Sequence, residues 1–389
     1  MATFKQYDKK DGSKAWMFRT YLGKNPTTGK DIETTRRGFK KKKEAQLIES
    51  RLQVEFKEKG LSKQSVMTFK EVYELWFDSY SKTVKEATSL NVARLFKNHI
   101  LPVLGDKRIT KISIPIAQKA VNHWAESLKV YKSVLQYASK VMKYAVAIEL
   151  IDKNPFDNII RPANQKEDEE VKIKFYTVDQ VAIALQYLKD QTKKHEKNKV
   201  RNYLDEWKLA FFRLLAFSGL RTSEALALNW SDIDFSTHKM TVNKTMSQTK
   251  NGYKVTKPKT KASNRVIDLD EKTIRRLKKW QLKQKEFLFS NCVKDCPIIF
   301  SDINGKHTTR QATYFRAFAI ADATELPRIG VHGWRHTHAS MLYSSGVDMK
   351  EAQVQLGHSS IEMTMNIYTH LSDTEKAKTS EKLAKFANF

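Results

Sequence analysis

The sequence predicts a multidomain α+β protein: a small three-stranded sheet plus helix, then a helical domain, then a mainly helical domain with a small β-sheet. Three observations lead there. The first sixty residues alternate in apolar and polar character between turn residues and then switch to helical spacing. The next hundred carry amphipathic helices with no strand pattern between them. A polar, acidic stretch then precedes a region where helices flank three short strands, two of them joined by Asn251-Gly252. A chain of 389 residues has room for two or three domains of ordinary size. The boundaries we expect are 1–62, 66–162, a linker at 163–174, and 175–389.

In the first domain, strands are expected at 4–7, 15–22 and 31–37, with Asp11-Gly12 and Thr28-Gly29 at the turns. Trp16, Phe18 and Thr20 alternate with Met17, Arg19 and Tyr21, so one face is apolar and the other can carry charge. A helix at 42–59 offers Ala45, Leu47, Ile48, Leu52 and Phe56 to cover the sheet. Up to Ser65 there are 17 Lys and Arg against 8 Asp and Glu. Arg19, Arg36 and Arg37 on the strands and Lys40 and Lys41 beyond them are candidate DNA contacts, the lysines to phosphate.

Thr68-Phe69-Lys70-Glu71 is a capping box that opens the helical domain. Further helices are expected near 90–100, 114–127 and 131–150, with Pro102, Gly105 and Pro155 between them. The linker holds Glu167-Asp168-Glu169-Glu170, and Thr177-Val178-Asp179-Gln180 is a second capping box. An apolar helix at 206–217 ends at Gly219, which puts Arg221 on a turn. Strands are expected at 239–246, 253–257 and 265–269, with helices thereafter.

The formal net charge of +27, from 70 Lys and Arg against 43 Asp and Glu, calls for a polyanionic partner, and nucleic acid fits best. Two cysteines, Cys292 and Cys296, cannot build a disulfide framework, their spacing with no second pair is poor for a structural zinc site, and they read as reduced thiols. No run approaches the roughly 20 apolar residues of a membrane span, and the first residues lack the apolar core of a signal peptide. The expected location is cytoplasmic, at the nucleoid of a bacterial host, with no membrane partner.

The chemistry concentrates late in the chain. Val331-His332-Gly333-Trp334-Arg335-His336 is followed by Leu356-Gly357-His358 and by Tyr368, ten residues after His358. Far upstream lies Gly219-Leu220-Arg221-Thr222-Ser223-Glu224. Two guanidiniums suit a phosphodiester transition state, since each donates in a planar fork and stays charged. A histidine is a natural base for a phenol nucleophile. Taken singly, Arg221 reads as a salt-bridge residue and any one of 14 tyrosines as structural. A rival reading makes His332, His336 and His338 a zinc cluster, but nearby carboxylates and thiols are lacking and Arg335 would repel the cation. No Walker-type loop or carboxylate triad is present.

Together these motifs resemble the tyrosine recombinases, specifically the integrases of temperate phages and conjugative transposons, over nearly the whole chain. The resemblance implies an arm-site-binding domain, a SAM-like core-binding domain that grips the core site, and a catalytic domain. It implies Arg221, Lys259, His332, Arg335 and His358 as catalytic residues and Tyr368 as nucleophile, with Glu224 buttressing Arg221. Lys259 follows from Lys-Thr-x-x-Ser-x-Arg, which ends at Arg265; Lys257 and Lys261 remain alternatives for the general acid. No cofactor is implied and no metal. The partners implied are double-stranded DNA attachment sites of core and arm type, a homotetramer assembled on DNA, an excisionase and a host DNA-bending protein. The tail after Tyr368, with Leu383, Phe386 and Phe389 at helical spacing, docks on a neighbouring protomer in such families or packs on its own. The alternatives are a type IB topoisomerase-like relaxing enzyme and a non-catalytic DNA-binding regulator.

Overall fold

The structure is a computed structural model that describes residues 2–9, 12–24, 31–59, 67–163, 174–258 and 260–365. The chain divides into two compact units, 1–166 and 167–389.

In the first unit, β1 (Thr3–Asp8), β2 (Lys14–Lys24) and β3 (Asp31–Phe39) form an antiparallel sheet in sequence order, followed by α1 (Lys42–Lys59). The alternation in β2 decides its faces: Phe18 and Thr20 are buried, while Arg19 and Tyr21 are exposed. Phe18 stacks on Phe39 at 5.6 Å, and the Thr20 hydroxyl donates to Glu49 Oε1 of α1 at 2.8 Å. That buried polar contact ties the helix to the sheet. The helical part comprises α2 (Phe69–Thr83), α3 (Glu86–Leu95), α4 (Leu101–Leu104), α5 (Ile114–Ser127) and α6 (Tyr131–Ala147). The capping box is formed: Thr68 N donates to Glu71 Oε2 at 2.7 Å, and Glu71 N to Thr68 Oγ1 at 3.3 Å. Phe69, Val72, Phe96, Ile100 and Trp124 make its core. The helix expected to reach 150 ends at Ala147, because Glu149 turns to φ 58°.

The second unit holds α7 (Val178–Lys194), α8 (Lys199–Ser218), α9 (Thr222–Ala225), β4 (Ile233–Asp234), β5 (Lys239–Val242), β6 (Thr245–Thr249), β7 (Gly252–Thr256), β8 (Arg265–Asp268), α10 (Glu271–Ser290), α11 (Arg310–Ala323), α12 (Gly330–Ser344) and α13 (Met349–Leu356). The helix α8 packs against α7, α10 and α12 and buries Trp207, Phe211, Phe212 and Leu215. It starts at Lys199 rather than near 206, because the Asn198 side chain caps it by accepting from Arg201 N at 3.0 Å. The strand expected at 239–246 is two strands in two sheets, β5 between β4 and β8, and β6 paired with β7. The chain enters α7 through Tyr176, whose backbone N–H donates to Thr337 Oγ1 at 2.9 Å. Among the described residues no helix is long and apolar enough to cross a membrane.

Candidate active site

The helix α8 stops at Gly219, which sits at φ +64°. A Cβ there would lie 2.6 Å from His338 Cδ2 and 2.8 Å from Leu356 Cδ2, so both backbone and space require glycine. This sharp stop delivers Arg221 to the start of α9, facing Glu224 one turn on. Arg221 Nη1 donates to Glu224 Oε1 at 2.8 Å, and its backbone N–H to Glu224 Oε2 at 3.0 Å.

The C-terminal end of α13 organises the rest. Three consecutive carbonyls there each accept from a different guanidinium. Gln355 O takes Arg265 Nε at 2.8 Å, Leu356 O takes Arg335 Nη2 at 2.7 Å, and Gly357 O takes Arg221 Nη2 at 3.0 Å. The last carbonyls of a helix lack intrahelical partners and carry the negative end of its dipole, so three cations are well placed there. Arg335 also donates Nη1 to Gly219 O at 2.7 Å. Arg265 donates Nη2 to Glu224 Oε2 at 3.0 Å and Nη1 to Ser263 O at 3.2 Å.

Burial and then Arg221 lower the Arg335 pKa to about 9, still cationic at neutral pH. Burial acts to raise the Glu224 carboxyl, but Arg265 and Arg221 together hold it below the usual range, so it is an anion. Three guanidiniums and one carboxylate therefore leave two positive charges in the cluster at the end of α13.

His332 lies one helical turn from Arg335 and lines an open cleft of ≈ 560 Å³ with Arg221, Tyr253, Arg310 and Tyr314. Its pKa is lowered by partial burial and by Arg335, Arg221 and Arg310, which favours the neutral base. His336 meets it edge-on at 4.6 Å between ring centres, and His336 Nδ1 is buried without a hydrogen-bond partner among the described residues. His338 turns elsewhere: its Nδ1 lies 2.9 Å from Ala216 O, and Gln355 Nε2 donates toward its Nε2 at 3.0 Å. The three histidines thus do not converge on one point.

His358 follows Gly357, which is at φ +67° and where a Cβ would stand 2.9 Å from Arg265 Nη1. His358 Nδ1 is 2.9 Å from Thr364 Oγ1, and burial followed by Arg335 and Arg221 pushes its pKa down to about 3. A neutral ring that accepts the Thr364 hydroxyl at Nδ1 carries its proton on Nε2, ready to donate.

Arg221, His332, Arg335 and His358 are thereby brought into one neighbourhood. Lys259 and Tyr368 lie outside the described residues, as do the tail and linker residues 164–173. Lys257 stands exposed just after β7, and Lys261 falls in the short turn Lys261–Ser263. In the N-terminal sheet, Arg19 pairs with Glu33, Nε to Oε2 at 2.8 Å. Arg37 pairs across strands with Met17 and so shares the Arg19 face. Arg36 pairs with Phe18 and so lies on the opposite side of the strand from Arg37, although it too is exposed. Lys40 and Lys41 are exposed at the corner between β3 and α1. Sequence reasoning assigned no role to Arg265 or Arg310. Arg265 was visible at the end of the Lys-Thr-x-x-Ser-x-Arg string, whereas nothing near Arg310 marked it.

Three family models match the chain: the arm DNA-binding domain over residues 4–56, the phage integrase N-terminal SAM-like domain over 68–125, and the phage integrase family over 174–375. The ICEBs1 integrase of Bacillus subtilis (strain 168) is 28% identical over 370 residues, covering 93% of this chain and 95% of that protein. Among solved structures, the integrase of transposon Tn1549 in complex with a circular intermediate DNA superposes with a TM-score of 0.63 at 23% identity, over 82% of this chain and 100% of that one. A lambda integrase tetramer bound to a Holliday junction gives 0.54 at 17%, over 93% and 94%. These two likenesses are of fold. The family match alone spans more than half of the chain, and on it the chain belongs to the phage integrase family of tyrosine recombinases.

Proposed function

We propose that this recombinase integrates and excises a mobile element by cutting and rejoining DNA at attachment sites through a 3′-phosphotyrosyl intermediate. The observation that carries the reading is the convergence of Arg221, Arg335, His332 and His358 around the end of α13, with two net positive charges. The Tyr368 phenol attacks the scissile phosphorus, the bond to the 5′ oxygen breaks, and the phenol proton passes to neutral His332. Arg221 and Arg335 face the nonbridging oxygens, where negative charge grows. His358 donates Nε2–H to one of them. Lys259 protonates the departing 5′ oxygen, with Lys257 and Lys261 as alternatives in the same segment. The phosphotyrosyl bond conserves the energy of the broken one, so a partner strand's 5′ hydroxyl can reverse the step.

Residues 1–62 form the arm-binding domain, with Arg19, Arg37, Lys40 and Lys41 toward DNA; Arg36 fits that role less well. Residues 66–162 hold the core site, 163–174 link, and 175–389 carry the chemistry. Four protomers act on two DNA sites, with an excisionase and a host DNA-bending protein setting direction.

The test is a nicked suicide substrate carrying the attachment core, run on a denaturing gel. Wild type should give a covalent protein–DNA band and Tyr368→Phe none, while both bind the DNA equally. An adduct that survives in Tyr368→Phe moves the nucleophile elsewhere. No adduct with wild type, despite tight binding, sinks the catalytic reading.

A further inference from the structure

Arg265 is the most fully committed guanidinium in the described site, and it does not face the cleft. Its side chain is 4% exposed. Its three arms reach three separate segments: Nε to Gln355 O on α13, Nη2 to Glu224 at the start of α9, and Nη1 to Ser263 O beside the lysine-bearing turn. Glu224 in turn holds Arg221, the carbonyl after Leu356 holds Arg221 as well, and Leu356 O holds Arg335. The turn at Ser263 continues toward Lys257 and Lys261.

We propose that Arg265 is a positioning residue that couples the lysine-bearing segment between β7 and β8 to the phosphate-facing arginines, so that leaving-group protonation and charge neutralisation are aligned by one side chain. It does not touch substrate. A guanidinium suits this task because its planar fork fixes three directions at once, which a lysine ammonium on a flexible stem cannot. A misplacement of about 1 Å in either set is enough to cost on the order of a hundredfold in rate.

The inference rests on the general-acid and arginine roles proposed above, and the experiment separates its failure from theirs. Full-length wild type, Arg265→Lys and Arg265→Met are compared in single-turnover cleavage of three suicide substrates. One carries the natural phosphodiester. One has sulfur in place of the bridging 5′ oxygen, so that a thiolate leaves without needing a proton. One has a methylphosphonate at the scissile position, which removes one negative charge. Lys259→Ala and Arg335→Ala serve as references, each expected to recover on the substrate that bypasses its own role. If the references do not recover, the roles assigned to them fail, and the coupling falls with them.

With the references behaving, Arg265→Lys should lose about a hundredfold on the natural substrate. It should recover about tenfold on each modified one, with DNA affinity unchanged. An equal deficit on all three substrates would mean a merely structural arginine and overturn the proposal. Recovery on only one substrate overturns the coupling. If Arg265→Met does not fold, Arg265→Lys and Glu224→Gln carry the test, Glu224→Gln being expected to recover on the methylphosphonate.

Discussion

The two units hold their arginines in opposite ways. In the N-terminal sheet Arg19 is 67% exposed and paired with Glu33, itself 45% exposed. Such a pair contributes little to stability, is screened by salt and opens readily. In the second unit Arg335 is 3% exposed and bound to two backbone carbonyls. A carbonyl holds a guanidinium without cancelling its charge. The first arrangement suits a surface that must adjust to a long DNA groove. The second suits a fixed electrostatic target that costs no reorganisation when the transition state forms.

Breaking the fixed side should have the largest effect. Arg335→Ala removes the cation and strands the carbonyls of Gly219 and Leu356. We expect cleavage of the suicide substrate to fall by about a hundred- to a thousandfold. Stability in urea should fall by about 2 kcal/mol or more, from carbonyls left unpaired. Cleavage within tenfold of wild type would deny the carbonyl-held arginine its role.

Acid should sharpen the comparison with a smaller effect. Burial lowers His338 to about 4 and His358 to about 3, both below their ordinary value. The unfolded chain then takes up protons first as the pH falls below about 6.5. Stability is therefore full above that value and drains through the window down to the folded pKa values. The slope should be about 1 kcal/mol per pH unit for each such histidine. Hydrogen exchange at pH 7 and pH 5 should show α8, α12 and α13 losing protection over that range. Protection in those helices that is flat from pH 7 to 5 would mean that these rings do not stay neutral.

The smallest effects belong to the sheet. Glu33→Gln should free Arg19 and strengthen arm-DNA binding while changing stability by no more than about 1 kcal/mol. Arg37→Ala should reduce the salt slope of that binding by about one, and Arg36→Ala should change it less, because Arg36 lies on the opposite side of the strand from Arg19 and Arg37. Equal slopes for Arg36→Ala and Arg37→Ala would refute the assignment of faces.

What could be read from the sequence follows from where the information lies. Arg221, His332, Arg335 and His358 stand in strings whose residue types declare chemistry. The capping boxes at Thr68 and Thr177 formed as expected, because capping is local. The carbonyl contacts of Gln355, Leu356 and Gly357 could not be foreseen, since every residue has a carbonyl and only the fold aims it. Arg36 and Arg37 looked equivalent because face depends on register with β2, which is a pairing between strands and not a property of either residue. The division of 239–246 into β5 and β6 was hidden for the same reason. The early start of α8 was legible at Asn198 but lay ahead of its apolar stretch.

The carbonyls at 355–357 carry one more consequence, which is arithmetical. Three arginines seated on successive residues of one short helix end share a single support. Removing one changes what the other two are bound to, so losses measured one at a time will not sum to the loss of all three. In this recombinase the arginines form one cooperative unit, and no share of the rate belongs to any of them alone.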